Sequence, residues 1–215
     1  MCNSKVQLER LKPYFKKKLV FITNGVVFND SITKEFGRNE EVIRLIVPAR
    51  FTDQKNPLNL LKALNELSNV KIDWYGQVYK DSQVYSQCND FLNKHNLDGK
   101  FSFNPPEKKI LEKIIEYDAL ILPSFFEGCP NAVIDAMGCG MPVLASKVAD
   151  NFYYLKHQAE LVFDPHSIDD ITSKIKVFQN MDRETRQLIG AANRVKSREF
   201  FDFNKMVDSY YKLIK

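Results

Sequence analysis

Two carboxylates eight residues apart, Glu127 and Asp135, flank a Pro-Asn pair in the string LPSFFEGCPNAVIDAMGCGMPVLAS over residues 122–146. A carboxylate suits a hydroxyl group, to which it offers a charged and therefore stronger acceptor. Residues 118–122 are a short apolar strand, 123–129 a loop made flexible by Gly128, and Pro130 suits the first position of a helix over 130–137. The helix start then faces the carboxyl end of a buried strand. In an open parallel sheet ligands bind there, because free N–H groups and about half a positive charge at a helix start attract anions. A diphosphate fits between the carboxylates, which can reach opposite ends of one polar ligand, as a nucleotide sugar requires.

A second cluster supplies cations. Residues 42–49 read as a buried strand, 50–56 as a polar loop and 57–67 as a helix with Leu60, Leu61, Leu64 and Leu67 on its apolar face. Arg50 and Lys55 stand in that loop. A guanidinium grips phosphate oxygens as a fork and a lysine adds a point charge, each charge-assisted bond contributing about 1.5–3 kcal/mol. Simpler roles stay open for all four residues: Glu127 as an acid beside a helix start, Asp135 as a solvated helix residue, Arg50 and Lys55 as surface cations.

The string EGCPNAVIDAMGCGMPV resembles E-G-x-P-N-x-x-x-E-A-M-A-x-G-x-P-V of the retaining GT-B glycosyltransferases of family 4, or group 1, with Asp135 where the second Glu is expected. The resemblance implies that Glu127 contacts the hydroxyls of the donor sugar and Asp135 the ribose of the nucleotide. The shorter Asp loses roughly 1.5 Å of reach. It also implies that Arg50 and Lys55 clamp the donor diphosphate and stabilise charge on the departing nucleotide. Glu127, Arg50 and Lys55 are thus the catalytic candidates. Gly128, Cys129, Pro130, Asn131, Ala132 and Val133 would line the donor cradle, with Asn104 and Pro105 near the nucleobase and Gly76 in a glycine loop. Weaker matches lie at 21–27, 74–77 and 160–165, and the resemblance covers roughly residues 19–214.

The function so implied is the donor-binding half of a retaining glycosyltransferase. It would pass a sugar from a nucleotide-diphosphate sugar to an acceptor, with no cofactor and no metal, a UDP-sugar being favoured over a GDP-sugar. The alternative is a non-catalytic nucleotide-sugar-binding or assembly subunit. The family's acceptor domain is absent from the sequence, so a missing N-terminal domain or a separate partner chain is expected. Residues 1–24 would be a helix and linker remnant, 25–200 the Rossmann-like donor domain, and 201–215 a terminal helix packing on the missing half. Met206, Tyr210, Leu213 and Ile214 would then expose apolar surface.

The elements around these residues alternate. Strands are expected at 19–23, 42–49, 70–75, 100–103, 118–122, 141–145 and 160–163. Helices are expected at 5–17, 57–67, 82–95, 107–116, 130–137, 167–179, 183–200 and 204–214. Alternation on this scale predicts an α/β fold: a Rossmann-like parallel sheet with helices on both faces, plus extra C-terminal helices.

Composition excludes several classes. With 215 residues, 44% hydrophobic, the chain can bury a sizeable core, and a net charge of +4 is too small to argue for nucleic acid. Cys2, Cys88, Cys129 and Cys139 form no C-x-x-C pair and no metal-like cluster with His95, His157 and His166, so reduced thiols and a cytoplasmic setting are expected. No apolar run reaches the about 18 residues needed to span a bilayer. The lysine-rich residues 12–18 leave peripheral contact with anionic lipid as a secondary expectation. Gly138 and Gly140 read as a helix stop rather than a dinucleotide fingerprint, since they follow a helix and precede a strand.

Overall fold

A computed structural model describes residues 1–15, 19–37 and 41–214. Residues 16–18, part of the lysine cluster, and residue 215 therefore lie outside the description. Lys12 is described, and it pairs at 2.6 Å with Glu9.

Six parallel strands form one sheet: β1 (Ile43–Pro48), β2 (Val70–Tyr75), β3 (Phe101–Asn104), β4 (Ala119–Leu122), β5 (Val143–Ser146) and β6 (Val162–Phe163). Their spatial order is β3-β2-β1-β4-β5-β6. The chain runs outward from β1 to one edge and then returns to place β4 on the other side of β1. The order therefore reverses between β1 and β4, where an open α/β sheet leaves a crevice beyond the strand ends.

Strand alternation divides the core in two. Leu45, Val47, Ile121 and Leu144 face helices α2 (Pro57–Asn65), α3 (Gln83–His95) and α7 (Ile168–Asn180). Ile46, Leu120, Leu122, Val143 and Ala145 face α4 (Ile110–Ile114), α5 (Asn131–Gly138), α6 (Asn151–Tyr154) and the end of α8 (Arg183–Phe201). Near-continuous apolar strands follow from burial on both faces.

Local signals set the helix ends. Ser82, Ser167 and Asp182 accept hydrogen bonds from the first-turn amides of α3, α7 and α8. Gly140, at φ +74°, closes α5: its N–H donates to Met137 O and the Met141 N–H to Ala136 O, the helix stop expected from the sequence.

Several expectations need correction. Residues 19–23 form no extended strand; Phe21 only bridges Cys2 in parallel. The helix expected over 5–17 is α1 (Lys5–Leu11) with a 3-10 turn at Lys12–Tyr14, since Pro13 lacks the N–H that a longer helix needs. The helix expected over 107–116 shrinks to α4, because Lys109 holds a non-helical φ −103°, ψ 47°. Pro130 is the N-cap of α5 and not its first residue; its carbonyl accepts from Val133 and Ile134. Of the strand expected over 160–163 only Val162–Phe163 pairs, as β6; residues 160–161 close a 3-10 segment, Lys156–Leu161, and α6 was not anticipated at all.

The terminal helix α9 (Phe203–Ile214) buries none of its residues. Tyr210, Leu213 and Ile214 are exposed, whereas Met206 is partly covered and its Sδ accepts from the Gly25 N–H at 3.0 Å. The same linker pairs Val26 N–H with Phe201 O at 2.8 Å.

Candidate functional site

A cleft of about 380 Å³ opens at the reversal point, beyond the carboxyl ends of β1 and β2 and against the start of α5. Arg50, Gly76, Asn131, Ala132 and Asp135 line it, which brings five candidates from three separate segments together. Tyr75, Glu107, Ile110 and Leu111 also line it, and the sequence reading had assigned them no role. Their only signal was position: Tyr75 ends β2, and the others lie between β3 and the first turn of α4.

Arg50 is held by its backbone neighbours. Ala49 N–H donates to Tyr75 O at 3.0 Å, Phe51 N–H to Gln77 O at 2.9 Å, and Trp74 Nε1 to Ala49 O at 2.7 Å. These bonds press the exit of β1 onto the exit of β2. A Cβ at position 76 would lie 1.9 Å from Ala49 O, so only glycine permits the approach. Gly76 thus acts through what it lacks.

Asp135 stands on the opposite wall, in the second turn of α5. No hydrogen bond or ion pair reaches its carboxylate from the described residues. Burial raises its pKa from 3.8 to about 6, because a low-dielectric surround disfavours the ionised form. An acid in that condition gains from any ligand that supplies hydroxyl donors.

Lys55 and Glu127 meet each other rather than lining the cleft. Lys55 Nζ lies 2.5 Å from Glu127 Oε1, with side chains only 16% and 8% exposed. Cation and anion therefore compensate one another at the mouth of the α5 loop.

The remaining candidates divide. Asn104 and Pro105 line an adjoining cavity of about 420 Å³ that shares Gly76, Gln77 and Pro106 with the cleft. Asn131 accepts from Asn24 Nδ2 at 2.7 Å, so the linker touches the first residue of α5. The amides of Asn131 and Ala132 open the helix, where no helical carbonyl can reach them. A Cβ at Gly128 would meet Gln7 Nε2 at 3.6 Å, an ordinary contact. Burial pushes the Cys129 thiol up from its ordinary value, the opposite of what an activated thiol needs. Val133 is not brought to the cleft: its side chain is in the core and its N–H is spent on Pro130 O. Pro130 is buried and, as a proline, has no N–H to offer a phosphate. Phe125 stacks on His166 and Phe126 is exposed.

Among the described residues no group of three or more His, Cys, Asp or Glu is placed to hold a metal ion, and no helix is long and apolar enough to cross a membrane.

A six-stranded parallel sheet wound both ways, with carboxylates and cations at its reversal point, is the Rossmann-like architecture of one half of a GT-B protein. The sequence matches the family described as glycosyl transferases group 1 over residues 28–195, and the chain belongs to that family. An uncharacterized glycosyltransferase of Methanocaldococcus jannaschii is 25% identical over 206 residues, 93% of this chain and 54% of that protein. Among solved structures, sucrose-phosphate synthase from Thermosynechococcus elongatus superposes with a TM-score of 0.85 at 16% identity, covering 99% of this chain and 56% of that one. Anabaena HepE, in complex with UDP and glucose, gives 0.86 at 15% identity, covering 99% and 61%. The chain therefore spans little more than half the length of these relatives.

Proposed function

We propose that this chain is the donor-binding half of a retaining glycosyltransferase that takes a sugar from a nucleotide-diphosphate sugar, with UDP favoured as the nucleotide. The observation that carries this reading is the cleft itself: Arg50 on one wall and the unpartnered, half-buried Asp135 on the other, at the reversal point of a sheet whose sequence belongs to the group 1 family. UDP in the HepE complex accords with it.

In this reading Arg50 binds the diphosphate as a fork. Lys55 turns from Glu127 toward the phosphates as they arrive, freeing Glu127 for the sugar hydroxyls. Arg50, Lys55 and the opening amides of α5 offset the charge that grows on the departing nucleoside diphosphate without a divalent ion. Asp135 accepts from the ribose hydroxyls, and the cavity beside Asn104 and Pro105 takes the base. Glu127 orients the sugar and does not attack it. The acceptor comes from a further domain or partner chain. Residues 1–24 are the remnant leading into it, 25–200 are the donor domain, and the exposed apolar residues of α9, within 201–215, pack on it.

Isothermal calorimetry of the chain with UDP, GDP and ADP tests the reading. UDP is expected to bind with the highest affinity, and Lys55→Ala to weaken it by about tenfold, the loss of one charge-assisted bond. No binding of any of the three to folded protein refutes the site. Binding with no transfer, once a partner domain is supplied, leaves the non-catalytic subunit in its place.

A further inference from the structure

Lys55 and Glu127 lie 72 residues apart, and neither belongs to an α-helix or a strand. Something must hold two loops in register for their side chains to meet. The turn Asp53–Lys55, a single 3-10 turn, runs alongside the loop that follows β4 and is joined to it step by step. Phe125 N–H donates to Gln54 O at 2.9 Å, and Gln54 Nε2 donates to Phe126 O at 2.9 Å. Asn56 completes the contact. Its Nδ2 donates both hydrogens, to Pro123 O at 3.0 Å and to Pro165 O at 2.8 Å.

Asn56 is unusual in three respects at once. It is 2% exposed, it occupies the left-handed region at φ 55°, ψ 45°, and it is the N-cap of α2 without capping that helix by its side chain. An N-cap asparagine ordinarily turns its side-chain oxygen to the amides of its own helix. Here the left-handed backbone aims the amide group away, toward two carbonyls at the ends of β4 and β6. Pro123 is itself buried, and Asn56 is the side chain that satisfies its carbonyl; Pro165 O has a second donor in Asn59, at 3.1 Å. Losing Asn56 thus orphans the carbonyl at the root of the Glu127 loop, a buried acceptor left without its donor.

We infer that Asn56 is a positioning residue of the donor site: its side-chain amide locks the loop after β4 against the 53–55 turn and so fixes Glu127 and Lys55 with respect to each other. The inference rests on the donor-site reading for its effect on a ligand, and on geometry alone for its effect on the loop. Glycine is the informative replacement, because it keeps the left-handed backbone while removing the side-chain amide and its two donors.

The experiment has two arms on the full chain. Amide hydrogen exchange followed by NMR compares wild type with Asn56→Gly. The amide of Phe125, which donates to Gln54 O, is expected to exchange about tenfold faster in the variant, on the scale of one lost hydrogen bond, while Leu120 and Ile121 in β4 keep their protection. Calorimetry with UDP compares the same pair in the presence and absence of Lys55→Ala. Asn56→Gly is expected to weaken UDP binding several-fold in wild type and to add nothing in the Lys55→Ala background, a non-additivity that general loss of stability would not produce. Unchanged exchange in the loop overturns the inference. So does unchanged UDP affinity in Asn56→Gly when Lys55→Ala has lost it. If wild type binds no UDP, the donor reading falls on that result, and the exchange arm alone decides the role of Asn56.

Discussion

Asp135→Asn should make the protein more stable and worse at its task. Asp135 titrates at about 6 in the folded chain against 3.8 as the ordinary value, and the cause is burial without a partner. The difference of about 2 units, at 1.36 kcal/mol each, means that ionising Asp135 costs the fold about 3 kcal/mol. Because the folded value is the higher one, the folded state holds the proton more tightly than the unfolded chain. The penalty sets in as pH passes the ordinary value of 3.8, grows as pH rises toward 6, and is complete at pH 7.5. Asparagine has nearly the same shape and never ionises. Urea unfolding of both proteins at pH 4.5, 5.5, 6.5 and 7.5 reads the effect as the stability of the variant minus that of wild type, which cancels the other titrating groups. This difference should be about 1 kcal/mol at pH 4.5 and rise to as much as about 3 kcal/mol at pH 7.5. The same substitution should weaken UDP by about tenfold, since a neutral amide accepts a ribose hydroxyl less strongly than a carboxylate does. A stability difference that does not change with pH refutes the burial argument. Undiminished UDP binding refutes the assignment of Asp135 to the ribose.

Two further outcomes follow from packing and from the thiols. Gly76→Ala places a methyl 1.9 Å from Ala49 O, a backbone atom fixed by Trp74, so the thermal midpoint should fall by several degrees, the scale of about 1–3 kcal/mol of overpacking, and UDP binding should drop as Arg50 is displaced. A fully stable Gly76→Ala would mean that the β1 and β2 exits separate freely. Thiol titration with a disulfide reagent at pH 7 should find none of the three buried cysteines, Cys2, Cys88 and Cys139, fast until the chain is unfolded, and burial holds Cys88 up at about 12 and Cys139 at about 11. Rapid modification of two or more in the folded protein would contradict the core as described.

How much of this was legible beforehand varied with the kind of interaction. Periodicity located β1, β2, β4 and helices α2, α3 and α7 closely, because each buries an apolar face whose spacing the fold demands. It failed for residues 19–23 and for residues 160–161, while 162–163 joined the ladder as β6. The failed stretches pack against other segments outside the ladder, and packing of that kind leaves no period. The same limit held at the site. Glu127, Asp135, Arg50 and Lys55 could be picked out by residue type and by family string. Their pairing could not, nor could the part played by Glu107, Ile110 and Leu111 in the cleft.

By itself the sequence determined the fold class, the family string and the identity of four charged residues, since these depend on spacing along one chain. Only the tertiary structure decided which charges share a cleft and which neutralise each other. Arg50 and Asp135 face one cavity while Lys55 and Glu127 close on one another, an outcome set by the strand order that brings β1 beside β4 and by the buried amide of Asn56. The physical reason is that Coulomb and hydrogen-bond terms depend on separation in space and on burial. Asp135 shows it most directly: its shifted pKa comes from the desolvation of a site assembled from β1, β2, α4 and α5.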